Sequence, residues 1–267
     1  MDKRFLIYYT HGYSNGYLPI MKLSINSLRE YNQNINYDIV ILSDEQYVND
    51  CEQIENVIVI PMKNSKSPEE ASMHKLNIFN YDKINEYDVV FFIDSDILVH
   101  SNILQIVDNC TKKNCLYVYS ENADIESHKH IYFGLENYSN EQIEYFQKNN
   151  IHVFNAGCFA FKPSEEIKEH FNNVNDLIKN NTRKFFYEQS FMNVYFNTYS
   201  YFNNDVVITD RNVLTNKNYI MFPNLNNLYL NALIHFCGGV GDPNYKYPRM
   251  LEYIANLHKY KKNNNLY

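Results

Sequence analysis

Two periodicities alternate along the N-terminal part of the chain. Short, nearly unbroken apolar runs rich in β-branched and aromatic residues occur at positions 5–9, 37–42 and 57–61. The strongest run, at 88–93, reads Asp-Val-Val-Phe-Phe-Ile. Runs of this length and composition predict strands buried on both faces. Between them the apolar spacing turns helical: Leu18, Met21, Ile25 and Leu28 mark one face over residues 18–31, and Met73, Leu76 and Phe79 fall near one stripe over residues 71–79. The order strand, helix, strand, strand, helix, strand predicts an α/β fold with a mostly parallel central sheet flanked by helices.

Beyond this, residues 116–119 and 153–161 predict later strands, separated by a polar, partly helical insertion over 121–150. Residues 165–179 are amphipathic and predict a helix, and 188–196 predict another; from Tyr199 onward short apolar stretches alternate with Asn-rich loops. No repeat and no Pro/Gly/Ser-rich linker divides the chain, so its 267 residues, 45% of them hydrophobic, are expected to form one domain.

Charge and cysteine content narrow the class. The formal net charge is −7. An acidic chain without a basic block excludes nucleic acid and anionic membrane surfaces as expected partners. The Lys259, Lys261 and Lys262 cluster reads as a solvated tail. The five cysteines are odd in number and form no C-x-x-C pair, which argues for reduced thiols rather than a zinc ribbon or disulfide framework. No basic-then-apolar leader opens the sequence, and no apolar run approaches the roughly 18 residues of a bilayer span. A cytoplasmic protein with no integral membrane segment is the expectation, and a homodimer is compatible with it. Two sequons, at Asn137 and Asn180, carry little weight in a chain so rich in Asn.

The candidate chemistry begins where the strongest run ends, at Asp94-Ser95-Asp96. Open α/β sheets bind ligands at the carboxyl ends of their strands. In extended backbone, residues i and i+2 point the same way. Two carboxylates separated by a small serine therefore make a hard oxygen site for a divalent cation, which would anchor a diphosphate and neutralise a leaving group.

Four further motifs surround it: Met73-His74-Lys75-Leu76-Asn77-Ile78-Phe79 upstream, then Asn155-Ala156-Gly157-Cys158-Phe159, Glu188-Gln189-Ser190-Phe191-Met192-Asn193 and Ile234-His235-Phe236-Cys237-Gly238 downstream. In this order, over roughly residues 5–241, they resemble family 8 glycosyltransferases, the group containing glycogenin and bacterial galactosyl- and glucosyltransferases. That pattern runs Lys-Leu, strand with D-x-D, Asn-Ala/Ser-Gly, Asp-Gln with a following Asn, and His-x-x-Gly.

The resemblance implies a GT-A (Rossmann-like) fold and transfer of a hexose, with retention of configuration, from a UDP-sugar to an acceptor hydroxyl on a glycan, protein or small molecule. It implies Mn²⁺, with Mg²⁺ as the alternative ion, held by Asp94, Asp96 and His235; two carboxylates and an imidazole suit Mn²⁺ better than the all-oxygen shell Mg²⁺ prefers. Lys75 would face the donor. Ser95 lies between the metal aspartates, and Asn155, Ala156 and Gly157 would line the sugar pocket. Glu188 and Gln189 would sit beneath the anomeric carbon, and Tyr9, Thr10 and Tyr17 would form the base pocket. Residues 1–120 would make the nucleotide-binding half, 121–245 the donor-sugar and acceptor half, and 246–267 a C-terminal helix and tail.

The chain departs from the pattern twice. Glu188 stands where the family usually has Asp, and Gly241 stands where it often has a diphosphate-binding lysine. Lys246, or the backbone amides of Gly238 to Gly241, would then cradle the phosphates. Two rival readings are a non-catalytic sugar-nucleotide-binding protein and a haloacid-dehalogenase-type phosphatase. The phosphatase uses its first D-x-D aspartate as nucleophile, but its motif normally lies near the N-terminus and carries Thr or Val where this chain has Leu98.

Overall fold

The computed structural model describes residues 3–111, 113–124, 137–181, 187–203, 206–209, 219–221, 232–237 and 242–264. Its core is a seven-stranded sheet built from β1 (Phe5–His11), β2 (Tyr37–Asp44), β3 (Ile58–Met62), β4 (Val89–Ile93), β6 (Leu116–Asp124), β7 (His152–Phe161) and β8 (Val207–Thr209), in the order β3-β2-β1-β4-β7-β6-β8. β7 alone runs against its neighbours β4 and β6; the other pairs are parallel.

Alternation along β1 explains the unbroken apolar runs. Phe5, Ile7 and Tyr9 face one side, where they share a core with Met21, Ile25 and Leu28 of α1 (Leu18–Tyr31). Leu6 and Tyr8 face the other, against Phe159, Phe171 and Met192. Phe171 lies on α6 (Glu165–Lys179) and Met192 on α7 (Tyr187–Asn203). A strand covered on both faces has no position for a polar side chain, and each large apolar residue so buried contributes about 1.5–3 kcal/mol.

A second sheet of three strands, in the order β5-β10-β9, joins β5 (Ile97–Val99), β9 (Tyr219–Met221) and β10 (Leu233–His235). Only Asp94, Ser95 and Asp96 separate β4 from β5. The D-x-D segment is thus the point where the chain leaves the large sheet and enters the small one. The junction is fixed by its own backbone: Ile97 N–H donates to Asp94 O at 3.1 Å, and Phe236 N–H donates to Asp96 O at 2.9 Å.

Several elements differ from the sequence expectation. β1 and β2 run on to His11 and Asp44, carrying polar residues to the carboxyl edge of the sheet. The helix expected over 71–79 is instead a short α3 (Pro68–Ser72), capped by the Ser67 side chain, followed by a 3₁₀ segment over Met73–Asn80 that breaks at Asn77. The tighter winding buries His74, Lys75, Leu76 and Ile78 together, which a single-stripe α-helix could not do. The expected insertion begins as strand through Asp124 and ends with α5 (Asn140–Lys148), which opens on a Ser139/Gln142 capping box. Residues 125–136 lie outside the described set.

The basic cluster near the C-terminus is not a free tail. It belongs to a helix, Pro243–Asn263, in which Lys261 Nζ reaches Glu30 Oε1 at 3.2 Å and Tyr31 Oη at 2.5 Å. With the short helices Val48–Cys51 (α2) and Ile103–Val107 (α4) counted, this helix is α8. Among the described residues no helix is long and apolar enough to cross a membrane, and no disulfide joins two cysteines.

Candidate active site

Three elements bring the acidic centre together. β4 delivers Asp94 and Asp96, β10 delivers His235, and β7 passes beneath with Gly157, whose carbonyl accepts from Asp94 N–H at 2.7 Å. One ligand atom from each of Asp94, Asp96 and His235 lies within 4.8 Å of the others. The antiparallel pairing of β10 with β5 sets His235 opposite Ile97, one residue beyond Asp96.

Gly157 makes this approach possible. A Cβ at that position would stand 2.7 Å from Asn155 Oδ1 and 2.8 Å from both Asp94 Oδ2 and His235 Cε1. Those groups are held by the sheet, so alanine there must displace two of the three clustered side chains. Gly157→Ala is expected to cost about 1–3 kcal/mol in thermal unfolding and to weaken divalent-ion binding by more than about tenfold in a calorimetric titration. Unchanged ion affinity would contradict the tight-fit account.

Lys75 forms the second half of the site. Its ammonium is buried and contacts Glu188 Oε1 at 2.5 Å, Asp94 Oδ1 at 3.3 Å and the Ala156 carbonyl at 3.2 Å, with the Phe92 ring centroid 4.5 Å away. Tyr8 Oη holds the Lys75 carbonyl at 3.0 Å. Burial pulls the Lys75 pKa down, but Asp94 and Glu188 outweigh it and leave the ammonium above the usual lysine range. Glu188 is 4% exposed, and its Oε2 has no hydrogen-bond partner among the described residues.

Electrostatics separate the two aspartates. Burial raises the Asp94 pKa, Lys75 pulls it back and Asp96 raises it again, leaving the carboxyl pushed up to about 6. Burial works the same way on Asp96, but Lys246 and His235 override it and hold that carboxyl well below the usual range. Lys246 Nζ stands 2.5 Å from Asp96 Oδ2, and His235 Nε2 stands 3.2 Å from Oδ1.

The other expected residues fall around this centre in different degrees. Ala156 contributes through its backbone, its N–H donating to Gln189 Oε1 at 3.0 Å. Asn155 receives the Gly157 N–H at 2.7 Å and donates to Glu121 Oε1 at 2.9 Å. Ser95 is half-buried between the aspartates, and Thr10 is half-buried at the edge of β1. Tyr17 lies in a 3₁₀ turn with its ring centroid 5.9 Å from Lys246 Nζ. Tyr9 does not belong to a base pocket: it is fully buried on the α1 face, where its hydroxyl accepts from Ser24 Oγ at 3.2 Å, and its ring offers no open face. Gly238, and the Gly241 substitution, lie outside the described residues.

Three contributors were not assigned from sequence. Asn193 is fully buried and clamps α7 to β7: Oδ1 accepts from Phe154 N–H at 2.9 Å, and Nδ2 donates to Phe154 O at 2.9 Å and Gln189 O at 3.0 Å. Its place in the motif was visible, but its clamp was not. Asn193→Ala strands buried backbone groups, and a loss of about 2–4 kcal/mol in denaturant unfolding is expected. Glu121 positions Asn155 from an element read as insertion. His11, beyond the apolar run that predicted the first strand, is 2% exposed with an Nδ1 that lacks a partner among the described residues, and burial lowers its pKa.

No known family's profile and no curated protein sequence matches the chain. Solved structures do. The bifunctional glycosyltransferase WbbM in its apo form is 20% identical, covers 96% of this chain and 50% of its own, and superposes with a TM-score of 0.57. The galactosyltransferase LgtC, solved with donor and acceptor sugar analogs, is 13% identical over 95% of this chain and 96% of its own, with a TM-score of 0.53. Apo GlyE from Streptococcus pneumoniae TIGR4 is 12% identical over 99% of this chain and 64% of its own, with a TM-score of 0.55. The chain thus spans half of WbbM and less than two thirds of GlyE, but nearly all of LgtC. At these identities the shared property is the fold: a GT-A architecture with a mostly parallel sheet flanked by helices.

Proposed function

We propose that this chain is a retaining glycosyltransferase that moves a hexose from a UDP-sugar to an acceptor hydroxyl with the help of a divalent metal. The observation that carries the reading is the Asp94, Asp96 and His235 cluster, packed on a glycine that only a missing side chain allows, beside the Lys75–Glu188 pair at the carboxyl edge of a GT-A sheet. The donor set of two carboxylates and one imidazole fits Mn²⁺. A metal bound there supplies Lewis-acid charge that neutralises a departing nucleoside diphosphate.

The protein's own groups do the rest. Lys75 fixes the Glu188 carboxylate, so that Oε2, without a hydrogen-bond partner among the described residues, accepts from a donor-sugar hydroxyl. Gln189 is tied at Oε1 by the Ala156 amide, which leaves its amide nitrogen to donate near the anomeric carbon. Thr10 and Tyr17 would serve the nucleotide end, and residues 121–245 would make the donor-sugar and acceptor half. Gln189→Glu keeps the size of the side chain and replaces its amide donor with a carboxylate, and is expected to lower the transfer read by mass spectrometry. Incubation of the purified chain with a panel of UDP-sugars, Mn²⁺ and candidate acceptors, read by mass spectrometry, tests the reading. Absence of both transfer and donor hydrolysis across the panel sinks it.

Because burial and the neighbouring Asp96 push the pKa of the Asp94 carboxyl up to about 6, a proton and the metal compete for it. Above that pH the carboxylate is ready to ligate; below it a proton must leave first. Mn²⁺ affinity is therefore expected to fall progressively as pH drops through about 6, with proton release on binding measured by calorimetry in buffers of different ionisation enthalpy. Affinity that stays flat from pH 7 to pH 5 would contradict this.

A further inference from the structure

Neither aspartate of the D-x-D segment is bare. Asp94 is held by Lys75, and Asp96 is held by Lys246, which comes from the first turns of α8. The second contact is the tighter one, at 2.5 Å against 3.3 Å, and it is more enclosed: the Lys246 and Asp96 side chains are 11% and 7% exposed. With His235 on the other oxygen, both oxygens of Asp96 are already committed. A carboxylate buried this far requires a counter-charge, and here a lysine supplies it.

That arrangement conflicts with metal binding as it stands. A divalent ion among Asp94, Asp96 and His235 would place two positive charges within a few ångströms of an ammonium on the same carboxylate, where water screens poorly. We propose that Lys246 is a resident counter-cation: it occupies Asp96 in the metal-free protein, withdraws when a divalent ion binds, and so sets the metal affinity of the site. Lysine suits such an exchange. Its charge sits on a flexible four-carbon stem and shifts between partners without movement of the helix that carries it. The Tyr17 ring, 5.9 Å from Nζ, offers an alternative perch for the cation. The helix itself is anchored by the Asp242 cap and by buried Met250 and Tyr253, so the side chain rather than the helix has freedom to move. The exchange rests on the divalent-ion site of the proposed function but not on its sugar chemistry; with a nucleotide-sugar bound, the released ammonium becomes available to the donor's diphosphate.

Titration of Mn²⁺ alone into the 267-residue chain, without any nucleotide, separates the two. Lys246→Met keeps the length of the side chain and removes its charge; it is expected to bind Mn²⁺ at least about tenfold more tightly than wild type, with a lower melting temperature when metal-free and a larger upward shift on Mn²⁺ addition. Lys246→Arg retains the charge and is expected to bind no more tightly than wild type. Equal or weaker binding by Lys246→Met, or no binding by either protein, overturns the proposal. A Met variant that folds only with Mn²⁺ supports it. Should that variant fail to fold in both conditions, crystal structures of the wild-type chain with chelator and with Mn²⁺ decide. Nζ is expected to leave Asp96 in the metal-loaded form, and an intact hydrogen bond there overturns the exchange.

Discussion

Asparagine in place of Asp96 is expected to lower sugar transfer by roughly three orders of magnitude while the chain still folds. The substitution keeps the shape of the side chain but removes the charge on which three contacts converge: the Lys246 ammonium, the His235 ring and the proposed metal. Lewis-acid stabilisation of a leaving diphosphate is worth several kcal/mol, and about 4 kcal/mol corresponds to a rate factor near 10³. The Asp96 backbone stays in place, because its carbonyl is held by Phe236 N–H, so circular dichroism should report a native fold. Turnover of a UDP-sugar with Mn²⁺, measured beside Mn²⁺ affinity, checks the result. A variant that keeps wild-type turnover would remove Asp96 from the chemistry and the metal-assisted mechanism with it.

Methionine in place of Lys75 is expected to cost stability as well as activity. Lys75 is the cation between Asp94 and Glu188, and its side chain is 4% exposed. Removing one partner of a buried ion pair typically costs about 3–5 kcal/mol, because the stranded charge is left without compensation. For a chain of this size that corresponds to a fall in melting temperature on the order of 10 °C. The cause is testable by a double-mutant cycle. Adding Glu188→Gln removes one of the stranded charges, so the double variant is expected to recover part of the loss. Additive losses would mean that Lys75 stabilises through its packing on Phe92 and its bond to the Ala156 carbonyl rather than through charge. Transfer activity should stay low in both variants, since Glu188 would no longer be held for the sugar.

The helix-and-strand grammar of the first half was legible because both faces of the sheet are covered. Runs such as Val89–Ile93 can only be strands buried on two sides, and the α1 stripe can only pack against one of them. Patterning failed where tertiary contacts set the local winding. The 3₁₀ segment over Met73–Asn80 exists to bury Lys75 and His74 beside Leu76 and Ile78, and no periodicity announces a buried lysine. Tyr9 shows the converse. The resemblance put it in a base pocket, but the strand alternation that buries Phe5 and Ile7 carries Tyr9 into the same core.

The sequence by itself determined the candidate site residues and their order along the chain: two aspartates after a buried strand, a glycine-bearing strand, an acid–amide pair opening a helix, and a histidine near the end. Those are local properties, written in residue identity and spacing. Only the tertiary structure decided what each charge faces. Whether Asp96 meets water, a metal or Lys246, 150 residues away in sequence, depends on how α8 packs against the junction of the two sheets. Coulomb energy depends on distance through space and on burial, neither of which sequence separation records.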